Sequence, residues 1–185
     1  ATLLKDLYTN TQRALRRGLD SPVDNQDETQ NMQHEARLKL NEHGLSDQQI
    51  NKIWSGIDKD YFSRFSVDDS VWHTLSIASC SDDDIPMVLI RPQTQRGGAE
   101  IFVYSQDQRG MFAVCTATLD QLGLNILDAR IITTDKNIAL VSFHVLESNG
   151  EPIPDLSREQ SIANTLRQNI LNPENTSLSV DRHKS

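Results

Sequence analysis

The density of apolar residues changes sharply along this chain, and that change limits how it can fold. Residues 1–48 contain 9 Leu, Ile, Val and Phe residues, whereas residues 99–146 contain 18. In the richer stretch, alternating apolar positions predict strands, and one run with helical spacing predicts a helix. This stretch can bury a core of its own. We therefore expect an α+β domain there, preceded by helices that pack against other structure.

Five elements are predicted in the apolar-rich stretch and its continuation. Their spans are 100–105 for a strand, 112–122 for a helix, 126–134 and 138–146 for the strands of a hairpin, and 157–172 for a second helix. A right-handed crossover, a hairpin and a helix on the same face form a ferredoxin-like half-open sandwich. The predicted order is βαββα, with the last strand of that fold missing or replaced.

The absent last strand leaves one edge of the predicted sheet open along residues 100–105. Three candidates can cover this edge: the β-rich run Met87–Arg91, a partner chain, or a last strand reduced to residues 178–180. All three remain open from the sequence alone. Within the hairpin, alternation predicts one face formed by Ile126, Asp128, Arg130 and Ile132.

The sequence pattern in the first part of the chain predicts helices. Ser46 and Gln49 have the spacing of a capping box, in which each side chain bonds the backbone amide of the other residue. Ser66 is expected to cap a further helix, and Ser157 another. The predicted domains are 1–84 for a helical connector, 85–98 for a short strand and linker, 99–172 for the α+β domain, and 173–185 for a polar tail.

Charge and cysteine content narrow the classes of function. The formal net charge of −8 disfavours binding to nucleic acid or to an anionic membrane surface. No apolar run reaches the ~18 residues of a membrane span. Cys80 and Cys115 lie far apart without metal-type spacing, which favours a reducing, cytoplasmic compartment, and Cys115 falls on the apolar face of a helix. Because the chain begins at Ala1 without Met, we expect a piece of a longer protein.

The predicted domain resembles an ACT domain, a module that senses small molecules in many enzymes of amino-acid metabolism. The residues that carry this resemblance are Ile101-Phe102-Val103-Tyr104, Asp107-x-x-Gly110-Met111-Phe112, Leu122-Gly123-Leu124-Asn125-Ile126 and Asp128-Ala129-Arg130-Ile131. The resemblance implies a regulatory rather than a catalytic domain.

The flanking residues resemble a narrower family, the bacterial bifunctional uridylyltransferase/uridylyl-removing enzymes of the PII signalling protein. The matching motifs are Leu15-Arg16-Arg17-Gly18, Tyr61-Phe62-x-Arg64, Trp72-His73 and Arg96-Gly97-Gly98-x-Glu100-Ile101-Phe102. They correspond to the segment between the HD domain and the first ACT domain of that family. The resemblance covers nearly the whole chain.

This resemblance implies a fragment that is not itself an enzyme. The parent family transfers uridylyl groups to PII and removes them, as a nucleotidyltransferase and a phosphodiester hydrolase, with glutamine as the signal and magnesium as the expected metal ion. Its catalytic motifs are absent here, since Gly98 is followed by Ala99 rather than Ser and no His precedes an Asp. The implied partners are glutamine or another small amino acid, the catalytic domains of the parent, PII through the parent, and a second copy of this chain. No cofactor is expected in this segment.

The candidate ligand-binding residues lie in two short stretches. They are Asp107, Gly110, Met111 and Phe112 in a turn that enters a helix, and Asn125 and Ile126 at the start of a strand. A helix N-terminus offers backbone amides to a carboxylate, and Asp107 offers an anion to an ammonium group. The structural alternatives are that Asp107 is only a helix N-cap, that Gly110 only serves a tight turn, and that Asn125 is a left-handed turn residue.

A second function of a different class remains open. The chain can instead be a module for dimerisation or interdomain assembly that binds no ligand, in which the open edge of residues 100–105 pairs with another strand. This sequence pattern predicts no catalytic residue and no metal site.

Overall fold

The computed structural model describes residues 22–94 and 97–176. The predicted helix and basic residues before residue 22, Arg96, and the possible strand at 178–180 lie outside this part. The chain divides into two compact units. Among the described residues, the first holds 22–50 and Lys59–Leu75, and the second holds Asn51–Asp58, 76–94 and 97–176.

Four α-helices precede the sheet in the described part of the chain. They are α1 (Pro22–Glu42), α2 (Asp47–Trp54), α3 (Tyr61–Arg64) and α4 (Val67–Ala78). The capping box before α2 is confirmed, because the Gln49 amide donates to Ser46 Oγ at 3.2 Å and the Ser46 amide donates to Gln49 Oε1 at 3.0 Å. Ser66 caps α4 in the same way, accepting from the Asp69 amide at 3.1 Å. None of the helices in the described ranges combines the length and apolar character that crossing a bilayer requires.

The helical unit has a small aromatic core. The Tyr61 hydroxyl lies 2.7 Å from His73 Nδ1, and both residues are almost fully buried. The Phe65 ring packs against both, with ring centroids 4.8 Å and 5.0 Å apart. Buried polar side-chain atoms are normally satisfied by hydrogen bonds, and these two satisfy each other. The motif residues Tyr61 and His73 are therefore part of the packing of this unit.

The second unit is a four-stranded antiparallel sheet with two helices. After a 3₁₀ turn at Asp82–Asp84, the elements are β1 (Met87–Arg91), β2 (Ala99–Gln106), α5 (Met111–Gln121), β3 (Leu124–Thr133), β4 (Ile138–Glu147) and α6 (Leu156–Leu171). The order of strands across the sheet is β1-β2-β4-β3. The predicted α+β, ferredoxin-like class is confirmed.

Strand β1 occupies the place of the missing last strand. It pairs antiparallel with β2 from Met87↔Tyr104 to Arg91↔Glu100. Of the three candidates for covering the edge, the Met87–Arg91 run is therefore correct. The assembly hypothesis that used the open edge of residues 100–105 is wrong, since that edge is already paired within the chain.

The core lies between one face of the sheet and the two helices. Its fully buried members include Ile101, Val103, Val141, Phe143 and Val145 from the central strands, and Cys115, Leu119, Ile162 and Leu166 from the helices. α6 begins one residue after Asp155, whose carboxylate accepts from the Arg158 amide at 2.8 Å. The predicted cap at Ser157 is wrong, because Asp155 supplies a stronger, charged acceptor two residues earlier.

A β-bulge in β3 changes which side chains share a face. Ile126 pairs with Val145 but Asp128 pairs with His144, so one extra residue is inserted between them. The predicted face is therefore wrong at Ile126, which lies with Ala129 and Ile131 on the helix side, while Asp128 and Arg130 lie on the other. Strict alternation cannot anticipate an inserted residue.

The burial of Cys115 predicts that this thiol is unreactive in the folded chain. Burial raises the pKa of Cys115 to about 12. At pH 8 its thiolate population is then lower by roughly a thousandfold than that of an ordinary cysteine. We expect iodoacetamide to modify only Cys80 in the folded chain, and slowly, because burial and then the charges of Asp84 and Asp82 raise the pKa of that thiol as well. Mass spectrometry after labelling with and without urea checks this, and equal labelling of both thiols in the folded chain would contradict the packing.

Candidate functional site

The turn between β2 and α5 is held at both of its ends. The Asp107 amide donates to the Asn137 carbonyl at 2.8 Å, and the Met111 amide donates to the Gln108 carbonyl at 3.1 Å. Gly110 is the N-cap of α5 and has a left-handed backbone with φ of 78°. The prediction that Asp107 is the N-cap is therefore wrong, because Gly110 occupies that position. The alternative that Gly110 serves only a tight turn stays open.

The start of α5 is an uncapped helix N-terminus within the described part of the chain. Its N-cap, Gly110, has no side chain that could accept from the amides of the first turn. The Met111 amide bonds the Gln108 carbonyl and the Val114 amide bonds the Gly110 carbonyl. The amides of Phe112 and Ala113 are left for an anion, which the helix dipole favours at this end. A Cβ built on Gly110 meets no atom within 4 Å, so a small molecule can approach the backbone at this point. Asp107 is exposed on the same turn.

Met111 and Phe112 have different surroundings. Met111 is 5% exposed and belongs to the core, so that it can contribute only its backbone to a ligand. Phe112 is 39% exposed and stacks on Phe143, with ring centroids 5.7 Å apart. The exposed part of the Phe112 ring can contact the aliphatic part of a ligand bound at the helix N-terminus.

Asn125 and Ile126 lie at the opposite end of the sheet from this turn. Ile126 pairs with Val145, whereas the last residue of β2, Gln106, pairs with Ile138. Val145 lies seven positions after Ile138 in β4, which is roughly 23 Å along a strand. One copy of the domain does not bring the two predicted groups together. The alternative for Asn125 is wrong, since it is an extended residue of β3 paired with Leu146.

The Asn125 end of the sheet is fastened by Arg158. Its Nε donates to Glu147 Oε1 at 2.8 Å, and its Nη2 donates to Glu147 Oε2 and to the Leu122 carbonyl. The hydrogen bond with Glu147 raises the pKa of Arg158. This guanidinium therefore ties the end of α5, the end of β4 and the first turn of α6 to one another.

The outer edge of the sheet next to Asn125 is apolar. β3 pairs only with β4 and ends the sheet among the described strands. Three of its side chains, Ile126, Leu127 and Ile131, are 37%, 56% and 38% exposed. Apolar side chains on the edge strand of a sheet are suited to contact with another strand.

Sequence reasoning missed a buried polar cluster on the sheet face opposite the helices. The Glu100 side chain is fully buried, accepts from Arg91 Nη2 at 2.7 Å and accepts from Ser142 Oγ at 2.5 Å. The only signal in the sequence was a carboxylate within an otherwise apolar strand. Because Arg91 comes from β1, the cluster joins three strands, and its role is structural.

The described residues hold no group of three or more His, Cys, Asp or Glu side chains that could bind a metal ion. The Asp82–Asp84 run is instead a turn closed on itself, in which Asp84 Oδ2 accepts from the Ser81 amide at 3.0 Å and from Ser81 Oγ at 2.9 Å. These bonds lower the pKa of Asp84.

Comparison with known proteins gives a consistent set of relatives. Residues 24–76, which run from α1 into α4, match the family model described as "Uridylyltransferase GlnD fifth domain". Bifunctional uridylyltransferase/uridylyl-removing enzymes from Methylococcus capsulatus, Pseudomonas savastanoi pv. phaseolicola and Pseudomonas fluorescens are 43%, 42% and 40% identical to this chain. The matches cover 90%, 94% and 98% of this chain.

The chain spans only about a fifth of these curated relatives, namely 19%, 20% and 21% of their lengths. No solved structure gives a significant match. The matches extend through both the helical unit and the sheet, and they agree with the motifs noted in both. The chain therefore belongs to the family of bifunctional uridylyltransferase/uridylyl-removing enzymes and corresponds to one segment of its members.

Proposed function

We propose that this chain is a non-catalytic regulatory segment of the bifunctional enzyme and that its ACT-like domain senses glutamine. In the whole protein, glutamine binding would control the uridylylation and deuridylylation of PII in the cytoplasm. The observation that supports a ligand site most directly is the uncapped N-terminus of α5 behind Gly110, with the Asp107 carboxylate on the same turn. Magnesium is expected at the catalytic domains of the parent and not in this segment.

A glutamine zwitterion fits the chemistry of this turn. The amides of Phe112 and Ala113 in the first turn of α5 would bind its carboxylate, and Asp107 would bind its ammonium group. The exposed part of Phe112 would contact its methylene groups. Gly110 leaves the backbone accessible, because a side chain at this position would cover the approach to the amides.

Two copies of the domain would complete the site. If two β3 edges pair antiparallel, the Asn125 end of one strand lies beside the Thr133 end of the other. Thr133 pairs with Ala139, next to the β4 residue that pairs with the end of β2. The turn of one copy and Asn125 and Ile126 of the other then lie at the same end of a joint sheet. A second ACT-like domain of the parent would serve as well as a second copy.

Glutamine would act on the catalytic domains through a difference in affinity. A ligand shifts an equilibrium between two arrangements only by the ratio of its affinities for them. Ordering the turn and the joint sheet would favour the arrangement in which the paired domains are formed. The segment thus needs no catalytic residue in order to control the reaction.

Calorimetric titration of the chain with L-glutamine tests the position of the site. We expect Gly110→Val to weaken binding at least about tenfold, because the side chain would cover the amides and strain a left-handed residue. Gly44→Val is the matched control, since Gly44 also has a positive φ of 93° and open space around it but lies between α1 and α2. Equal affinity of the two variants would rule out this turn as the site.

The assembly function has support from a specific observation, the exposed apolar side chains of β3 at the edge of the described sheet. As a pure assembly module, the chain would pair along this edge without any ligand. Light scattering with and without glutamine separates the two functions. A dimer whose population does not depend on glutamine favours assembly, whereas a dimer that forms or tightens with glutamine favours sensing.

A further inference from the structure

The tip of the β3–β4 hairpin, residues 134–137, bonds to two distant segments of the second unit. On one side, the Asn137 carbonyl accepts from the Asp107 amide at 2.8 Å. On the other side, the Asp135 amide donates to the Gly56 carbonyl at 3.0 Å. The tip therefore stands between the β2–α5 turn and residues 51–58.

Internal hydrogen bonds hold the tip together. The Asn137 amide donates to the Thr134 carbonyl at 3.1 Å, and the Thr134 amide donates to the Ile138 carbonyl at 2.7 Å. The Ile138 amide also donates to Thr134 Oγ1 at 3.2 Å. Asn137 has a positive φ of 59°, which asparagine adopts more readily than most residues. A turn with three hydrogen bonds among the five residues 134–138 is expected to move as one body.

The contact at Gly56 is close. An ideal Cβ on Gly56 would lie 2.6 Å from Asp135 Oδ1, nearer than any side chain can approach. Gly56 belongs to Asn51–Asp58, a stretch of the second unit that is covalently joined on both sides to residues of the helical unit. The stretch includes the last four residues of α2, Asn51–Trp54.

We propose that the hairpin tip couples the β2–α5 turn to residues 51–58. A change in the order of the turn alters the bond from Asp107 to Asn137, shifts the tip, and alters the bond from Asp135 to Gly56. Coupling is reciprocal, so loosening the Gly56 contact loosens the turn by the same free energy. The coupling itself does not depend on the proposed function. Only the idea that it carries a glutamine signal rests on that function.

Asp135→Pro and Asp135→Ala form a matched pair that tests the coupling. Asp135 is the second residue of the turn Thr134–Asn137, a position that favours proline. The proline variant removes the amide that bonds to Gly56, whereas the alanine variant keeps it and removes only the carboxylate. The readout is amide hydrogen exchange of the chain, resolved by residue with nuclear magnetic resonance.

We expect the Asp107 amide to exchange about fivefold faster in Asp135→Pro than in Asp135→Ala. The Val141 amide in the centre of the sheet should exchange equally in both, which separates coupling from a general loss of stability. Equal exchange of Asp107 in the two variants would overturn the proposal, and so would an equal increase at Asp107 and Val141.

A reverse pair keeps the test decisive if Asp135→Pro does not fold. Asp107→Pro removes the amide that donates to the Asn137 carbonyl, whereas Asp107→Ala keeps it. Because coupling is reciprocal, faster exchange of the Asp135 amide in Asp107→Pro than in Asp107→Ala supports the proposal. Equal exchange of Asp135 in these two variants overturns it.

Adding L-glutamine distinguishes this inference from the proposed function. If glutamine binds, we expect it to slow exchange in residues 51–58 of Asp135→Ala but not of Asp135→Pro. Slowing in both variants would overturn the route through the tip. If calorimetry detects no glutamine binding to the unmodified chain, the proposed function fails, while the exchange comparison without glutamine still decides the coupling.

Discussion

Gly98→Ala is expected to lower the free energy of unfolding by about 3 kcal/mol. This figure is the sum of two costs, the strain of a left-handed alanine and the overlap of its methyl group with neighbouring atoms. Gly98 has a φ of 75°, and a Cβ built on it lies 2.7 Å from the Val145 carbonyl oxygen. That oxygen belongs to the backbone of β4, which pairs with β2 at Ala99. It cannot rotate away as a side chain can. The beginning of β2 must therefore shift to accept the methyl group.

The neighbouring glycine is a matched control. Gly97 has a φ of 84° but no atom within 4 Å of its ideal Cβ. Gly97→Ala should cost only the left-handed strain, about 1–2 kcal/mol. Urea unfolding of the two variants measures the difference, and equal costs would show that the approach to β4 is not restrictive. A larger cost for Gly98→Ala would assign the Gly97-Gly98 motif to strand packing.

Arg91→Met is expected to lower the free energy of unfolding by about 3 kcal/mol. It leaves the carboxylate of Glu100, a residue with no exposed surface, without the guanidinium 2.7 Å away. Removing one partner of a buried ion pair costs about 3–5 kcal/mol, and the part-exposed Arg91 places this pair at the lower end. Methionine keeps the unbranched stem, so that packing against β2 changes little.

An exposed ion pair in the same chain gives the comparison. Lys39 Nζ lies 3.2 Å from Asp68 Oδ1, and both side chains are about half exposed. Lys39→Met should therefore change the free energy of unfolding by less than about 0.5 kcal/mol. Arg91→Met combined with Glu100→Gln should recover part of the loss, since no buried charge then remains. Equal effects of Arg91→Met and Lys39→Met in urea unfolding would contradict the role of this pair in holding β1.

Local signals predicted the elements well, because they depend on residues close in sequence. The capping box at Ser46 and Gln49 and the amphipathic helix around Cys115 and Leu119 are of this kind. The position of β1 was left open, since which strand covers an edge is decided by pairing between distant residues. The bulge before Asp128 was missed for the same reason, as an extra residue is tolerated only where the partner strand and its packing allow it.

The candidate site was predictable in composition but not in arrangement. The sequence indicated a turn that enters a helix at Gly110, and that turn is present. It could not reveal that the Met111 side chain points into the core, nor that Asn125 lies at the other end of the sheet. Both depend on the direction of side chains and strands after folding. This separation is the reason for proposing a site shared between paired domains.

The central claim is that this domain binds glutamine. The most direct test is to follow the amide resonances of the ¹⁵N-labelled chain during titration with L-glutamine. A sensor that uses paired domains predicts shifts that depend on concentration in two groups, Asp107–Phe112 and Asn125–Ile126, although these lie at opposite ends of each sheet. The Val141 amide in the centre should remain unchanged. Resonances of both groups that stay unmoved at millimolar glutamine would contradict the claim that this domain binds the signal.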